Sequence, residues 1–218
     1  MPRTRKWLPM TLIAAGAFLA QGASAQTASP EVIASKGDGA IVACATCHGS
    51  DGAGTGTFPR LAGLNAEYMR RQLEDFTNGR RENAVMQPIA EALGEEGWVA
   101  MSNYFADMPV AAASGPVPGE DGSVGARIAL RGAWNRQVPA CVQCHGPGGI
   151  GVGEDFPAIA GQPAGYIVAQ LKAWREGTRS NDPLELMRHL AAELSDEEVE
   201  QVADWFARQS PVPAGGTQ

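Results

Sequence analysis

Cys44-Ala45-Thr46-Cys47-His48 decides how this chain is read, and the pattern returns as Cys141-Val142-Gln143-Cys144-His145. Two thiols three positions apart, with an imidazole directly after the second, are what covalent haem attachment needs: each sulfur adds to a haem vinyl group and the histidine is held under the iron. The two motifs take all four cysteines and two of the three histidines. Two rival uses of the same residues explain less. Disulfides in an exported protein give no reason for a histidine after both pairs. A four-cysteine zinc site leaves both histidines idle and must draw together pairs that begin at positions 44 and 141.

At the start of the chain, Arg3, Arg5 and Lys6 precede an apolar run from Trp7 to Ala20, and then Ala23-Ser24-Ala25, a small-x-small cleavage pattern. Residues 1–25 are therefore expected to be a cleavable signal peptide, with the mature chain starting at Gln26 outside the cytoplasm. The run is short for a bilayer span, and no other long apolar segment follows, so no transmembrane helix is expected in the mature chain. Removing the leader leaves 14 basic against 24 acidic residues. That balance argues against nucleic acid, which selects for basic surfaces.

The likeness between the halves runs well beyond the haem motifs. Phe58-Pro59-Arg60-Leu61-Ala62-Gly63 matches Phe156-Pro157-Ala158-Ile159-Ala160-Gly161, Tyr68 matches Tyr166, Gln72-Leu73 matches Gln170-Leu171, and Gly79 and Arg81 match Gly177 and Arg179. Further on, Met86 pairs with Met187, Leu93 with Leu194, and Tyr104-Phe105 with Trp205-Phe206. The chain reads as two copies of one haem domain, 26–108 and 123–210, joined by an Ala/Gly/Pro/Ser-rich linker over 109–122 and followed by a tail at 211–218.

Helix signals recur in each copy and strand patterns do not, so the predicted class is all-α. Asn65 is placed to cap a helix whose Tyr68, Met69, Gln72, Leu73 and Phe76 share a face; Tyr166, Gln170, Leu171 and Trp174 repeat it before Gly177. Ser123 is a predicted N-cap. Ser195-Asp196-Glu197-Glu198 reads as a capping box ahead of Val199, Val202 and Phe206.

Function turns on the sixth position of each iron: a closed shell passes electrons, whereas an open one binds a substrate. The second copy has one methionine, Met187, and of the four in the first copy only Met86 has a methionine counterpart. Met86 and Met187 are thus the expected axial partners of His48 and His145; Met69, Met101 and Met108 read as core filling. His189 faces Pro88 and reads as a solvated side chain. The Pro59 and Pro157 carbonyls are placed to accept the second ring N–H of each histidine. Tyr68, Tyr166, Gln72, Gln170, Arg81 and Arg179 are candidates to hold the haem propionates, which need donors or cations when buried. The glycine-rich 52–56 and 149–153 follow haem motifs, not strands, and read as loops.

These residues together resemble the dihaem cytochrome c4 family: Cys-x-x-Cys-His-Gly at 44–49 and 141–146, Phe-Pro-x-Leu/Ile-Ala-Gly at 58–63 and 156–161, the two Tyr-x-x-x-Gln-Leu stretches, Asn181-Asp182-Pro183 before Met187, and the two final aromatic helices. The resemblance covers nearly all of the mature chain. It implies two tandem class I cytochrome c folds, each wrapped around one covalent haem through Cys44 and Cys47 or Cys141 and Cys144. His48 with Met86, and His145 with Met187, would be the iron ligands. It further implies a periplasmic electron carrier without catalysis of its own, working between a redox donor and acceptor, with loose membrane association and a membrane-bound terminal oxidase downstream. The rival readings are a haem subunit of an oxidoreductase such as flavocytochrome sulfide dehydrogenase, and a dihaem peroxidase. Leu64 departs from the family pattern, standing where Gln162 keeps glutamine, which puts the surroundings of the first haem in question.

Overall fold

The computed structural model describes residues 1–2, 28–112, 117 and 119–211. Most of the predicted leader, part of the linker and most of the tail lie outside these residues. The first half holds α1 (Pro30–Lys36), α2 (Ala45–His48), α3 (Ala66–Thr77) and α4 (Met86–Ala106); the second holds α5 (Val124–Arg131), α6 (Cys141–His145), α7 (Ala164–Glu176), α8 (Leu186–Glu193) and α9 (Asp196–Ala207). Among the described residues the only extended pairings are isolated bridges. Among the described residues no helix is long and apolar enough to cross a membrane.

Local chemistry sets the helix ends. Asn65 Oδ1 accepts from the Tyr68 amide at 3.0 Å to start α3, and Ser123 Oγ accepts from the Ala126 amide at 3.0 Å to start α5. The capping box at α9 closes in both directions: Ser195 Oγ accepts from the Glu198 amide, and Glu198 Oε2 accepts from the Ser195 amide. In the first half the corresponding corner is internal to α4. It turns at Gly94, whose φ of 63° is open to glycine at little cost. Trp98 Nε1 donates back across that corner to the Ala90 carbonyl at 2.7 Å, tying its two arms together.

Each half buries its own apolar cluster. In the first, Ile33, Ala34, Leu64, Met69, Met101 and Phe105 bring α1 and α3 against α4. In the second, Ile128, Ile167, Leu171, Val199, Val202, Trp205 and Phe206 join α5 and α7 to α9. The crossing of α5 and α9 is close enough that a Cβ on Gly125 would come within 2.2 Å of the Gln201 carbonyl oxygen, so no larger residue fits there. Leu64 is 5% exposed and belongs to the first core. Gln162, its counterpart, points across to the other half.

Candidate functional site

The two haem motifs fold alike. α2 and α6 carry the second thiol and the histidine of each motif on a single short turn, with Cys44 capping α2 and Cys141 opening α6. The four cysteines form no disulfide, and among the described residues no group of three or more His, Cys, Asp and Glu is placed to hold a metal ion. Burial pushes the Cys44 thiol up, and the Cys141 thiol up to about 12. His48 and His145 are 6% and 8% exposed. Their Nδ1 atoms lie 2.9 Å from the Pro59 carbonyl oxygen and 2.8 Å from that of Pro157, the partners expected from motif order. Burial also lowers the basicity of both rings, against the opposing pull of those carbonyls. Each ring is thus a neutral imidazole that donates from Nδ1 and keeps Nε2 free as a metal ligand.

Between the two halves lies a seam with approximate twofold symmetry. Arg81 and Arg179 form an antiparallel bridge, flanked by Glu82 N–H donating to the Thr178 carbonyl and Ser180 N–H donating to the Arg80 carbonyl, both at 2.8 Å. Their side chains cross over. Arg81 Nη2 donates to Tyr166 Oη and Gln170 Oε1, each at 3.0 Å; Arg179 Nη2 donates to Tyr68 Oη at 3.1 Å and Gln72 Oε1 at 2.9 Å. Each guanidinium also stacks on a ring of its own half, Arg81 on Phe76 at 4.6 Å and Arg179 on Trp174 at 4.0 Å. The sequence picked out these six polar residues singly, and the fold gathers them into one network.

Other seam contacts carry no local signal in the sequence. Gln162 grips the backbone of Arg60 across the seam, accepting from its N–H at 2.9 Å and donating to its carbonyl at 3.0 Å. Asn181 Nδ2 donates to Asp75 Oδ2 at 2.7 Å and to Gln72 Oε1 at 2.9 Å, and Arg71 pairs with Asp155 at 2.9 Å. The departure at Leu64 is thereby explained. That position serves the first core, and its counterpart serves the joint between halves.

Comparison with known proteins completes this picture. Residues 34–107 and 136–209 each match the cytochrome c family. The chain is 51% identical over 201 residues to the thiosulfate dehydrogenase electron acceptor of Stutzerimonas stutzeri, covering 89% of this chain and 93% of that protein. It is 35% identical over 190 residues to cytochrome c4 of Thiocapsa roseopersicina, covering 85% of this chain and 95% of that one. The chain belongs to the dihaem cytochrome c4 family. Among solved structures, a thiosulfate dehydrogenase from Marichromatium purpuratum matches with a TM-score of 0.77 at 41% identity over 84% of this chain, which spans 40% of that longer chain.

As a cytochrome of this family the chain carries two covalent haem c groups and transfers electrons; it is not itself an enzyme. The residues present fit such groups. Arg81 and Arg179 are 8% and 3% exposed, yet neither has a carboxylate within ion-pair distance among the described residues. Burial pulls the Arg81 guanidinium below the ordinary arginine range. An unpaired buried cation costs several kcal/mol, on the order of what a counter-anion restores. The indole Nε1 of Trp174, against Arg179, is likewise buried with no acceptor. Two buried cations that pair with no carboxylate among the described residues, and a donor with no acceptor, are suited to haem carboxylates.

Proposed function

We propose that this chain accepts electrons from a thiosulfate-oxidising dehydrogenase in the periplasm and hands them onward towards a membrane-bound oxidase. The observation that carries this reading is the 51% identity to a thiosulfate dehydrogenase electron acceptor, sustained over 93% of its length. It is supported by the Marichromatium structure, in which a region like this chain forms part of a longer thiosulfate dehydrogenase chain. The onward step to an oxidase rests on the cytochrome c4 resemblance.

In this reading Cys44 and Cys47 would hold one haem and Cys141 and Cys144 the other, with His48 and Met86, and His145 and Met187, as the residues that would ligate the two irons. When bound, each haem supplies a one-electron ferric/ferrous couple. The residues around it keep that couple closed to chemistry and open to electrons. The Pro59 and Pro157 carbonyls fix the ring orientation of each histidine. Asn83 Oδ1 accepts from the Met86 amide at 2.9 Å, holding the start of α4 in place. A thioether ligand favours the ferrous state and raises the potential, as an acceptor requires. Exposed aliphatic side chains flank each methionine: Val85 beside Met86, and Leu184 and Leu186 beside Met187. They give a docking protein apolar surface next to the ligand.

The direct test mixes the oxidised chain with a purified thiosulfate dehydrogenase and thiosulfate and follows haem reduction by stopped flow. Reduction of both haems, dependent on the dehydrogenase and saturable in it, is expected. A rate no greater than with thiosulfate alone overturns the reading. Carbon monoxide separates a carrier from a dihaem peroxidase, because a saturated ferrous iron does not take it up.

A further inference from the structure

One buried charge of the seam has no twin and yet takes no side. Arg60, opposed by Ala158, donates from its guanidinium to the Ala62 carbonyl at 2.5 Å and to the equivalent Ala160 carbonyl at 3.0 Å, so it sits on the axis. The charges that tell the halves apart lie at the surface, around the two methionines.

Between Arg81 and Arg127 the sequence has no lysine, arginine or histidine. Glu82, Glu91, Glu95 and Glu96 fall in that stretch, and all four are exposed. None of them has an ion-pair partner among the described residues. Of the cations just before them, Arg81 is buried and Arg80 is held by Asp75 at 2.7 Å. On the first arm of α4 the buried Ala90 faces inward, while Gln87 donates to Glu91 at 3.0 Å on the exposed side. Glu91 stands five residues beyond Met86, about 7.5 Å along a helix axis and within the Debye length of about 8 Å at physiological salt. Val85, 55% exposed, sets an aliphatic side chain beside the methionine. The Met86 edge is therefore an apolar point in an uncompensated negative field.

The twin edge is built otherwise. Arg188 and His189 follow Met187 directly, and both are exposed. Glu185, Asp196 and Glu198 are each paired with an arginine: Arg188 at 3.3 Å, Arg175 at 2.5 Å and Arg136 at 2.6 Å.

We propose that the Met86 edge is an electrostatic docking face for a redox protein whose electron-transfer edge is ringed by lysine and arginine, and that the Met187 edge is not. Opposite charge steers such a partner onto this face before apolar contact forms, whereas an acidic protein or an anionic lipid surface is turned away. The proposal deepens the reading above and rests on its carrier role, not on the identity of the donor.

The test mixes the reduced dihaem protein in stopped flow with ferric mitochondrial cytochrome c, a lysine-rich probe. One electron leaves a ferrous iron of the chain, which becomes ferric, and the ferric iron of the probe becomes ferrous, with no bond made and no proton moved. Raising the salt from about 0.01 M to about 0.15 M shortens the Debye length from about 30 Å to about 8 Å and should slow the second-order step roughly tenfold. Glu91→Gln, Glu95→Gln and Glu96→Gln together should slow it roughly fivefold at low salt and flatten its salt dependence. Removing three carboxylates from α9 instead, by Glu197→Gln, Glu200→Gln and Asp204→Asn, changes the net charge equally and should alter the rate by less than about twofold. Two results overturn the proposal: equal slowing by both sets, which is an effect of net charge alone, or no slowing by the α4 set in protein with full haem content. If a thiosulfate dehydrogenase fails to reduce the chain while the α4 set still slows the probe, the thiosulfate reading falls and this docking face stands.

Discussion

The two halves of this cytochrome agree closely wherever the haem dictates and part company elsewhere. His48 and His145 have the same burial and the same prolyl acceptor within 0.1 Å, 2.9 against 2.8 Å. Arg81 and Arg179 make the same crossed bonds. Yet the corner after the methionine helix is a bare Gly94 in one domain and a full capping box at Ser195 in the other. The approach to the methionine differs too. Four residues separate Arg81 from Met86 and seven separate Arg179 from Met187, the longer loop passing through Leu184 and Glu185 at φ 60° and 55°. Attachment and orientation tolerate one solution, while corners and loops need only reach the same end point.

Removing a haem from one side tests that agreement most severely. Cys141→Ser with Cys144→Ser should leave one haem per chain by pyridine haemochrome assay, and should strand Arg179 in the seam without its anion. The domains should then separate, seen as a larger radius of gyration by X-ray scattering; the Cys44/Cys47 pair of substitutions should do the same. A single-haem protein as compact as the parent would mean that the guanidiniums do not depend on the haem carboxylates.

Met86→Ala and Met187→Ala come next. Each should open one iron, so that the reduced protein binds one carbon monoxide and the far-red methionine-to-iron band of the oxidised protein falls by half. Unequal losses would show that the two domains do not share a ligand set. Replacing either buried guanidinium, Arg81→Met or Arg179→Met, leaves an uncompensated carboxylate and should cost about 3–5 kcal/mol in denaturant unfolding, similarly on both sides.

The smallest effect belongs to a contact that only the second domain has. Arg136 grips Glu198 with two bonds, at 2.8 and 2.6 Å, and this hydrogen bonding holds the carboxyl below its ordinary value of 4.5. A depressed carboxyl stabilises the fold above the unfolded pKa and ceases to do so as the pH falls through the folded one. Glu198→Gln, which can keep the capping box, should therefore cost about 1 kcal/mol at pH 7. The difference from the parent should vanish on titrating well below pH 4.5.

Much of the structure was open to sequence reasoning because it rests on short-range spacing. The haem motifs, the caps at Asn65, Ser123 and Ser195, and the prolyl acceptors all lie within a few turns of the residues they serve. Internal repetition added the candidate propionate residues, since only paired positions stood out from ordinary helix packing. What stayed hidden depends on how one domain sits against the other. Nothing near Gln162 announces that it holds Arg60, 102 positions away, or that Asn181 reaches Asp75 at a separation of 106. Gln162, Arg60 and Asp75 face Leu64, Ala158 and Ala173 in the other half, so repetition, the strongest signal in this chain, is blind to these pairings.

The position of Arg60 explains why two such domains gain from sharing one polypeptide. In an assembly of identical subunits, any side chain on the rotation axis arrives twice, and two guanidiniums cannot occupy the space that one fills between Ala62 and Ala160. Tandem fusion removes that obligation: one half supplies the key, the other the lock, and each is free to mutate alone. A covalently joined dimer can therefore acquire a front and a back, which is what a protein needs if charge is to enter at one end and leave at the other.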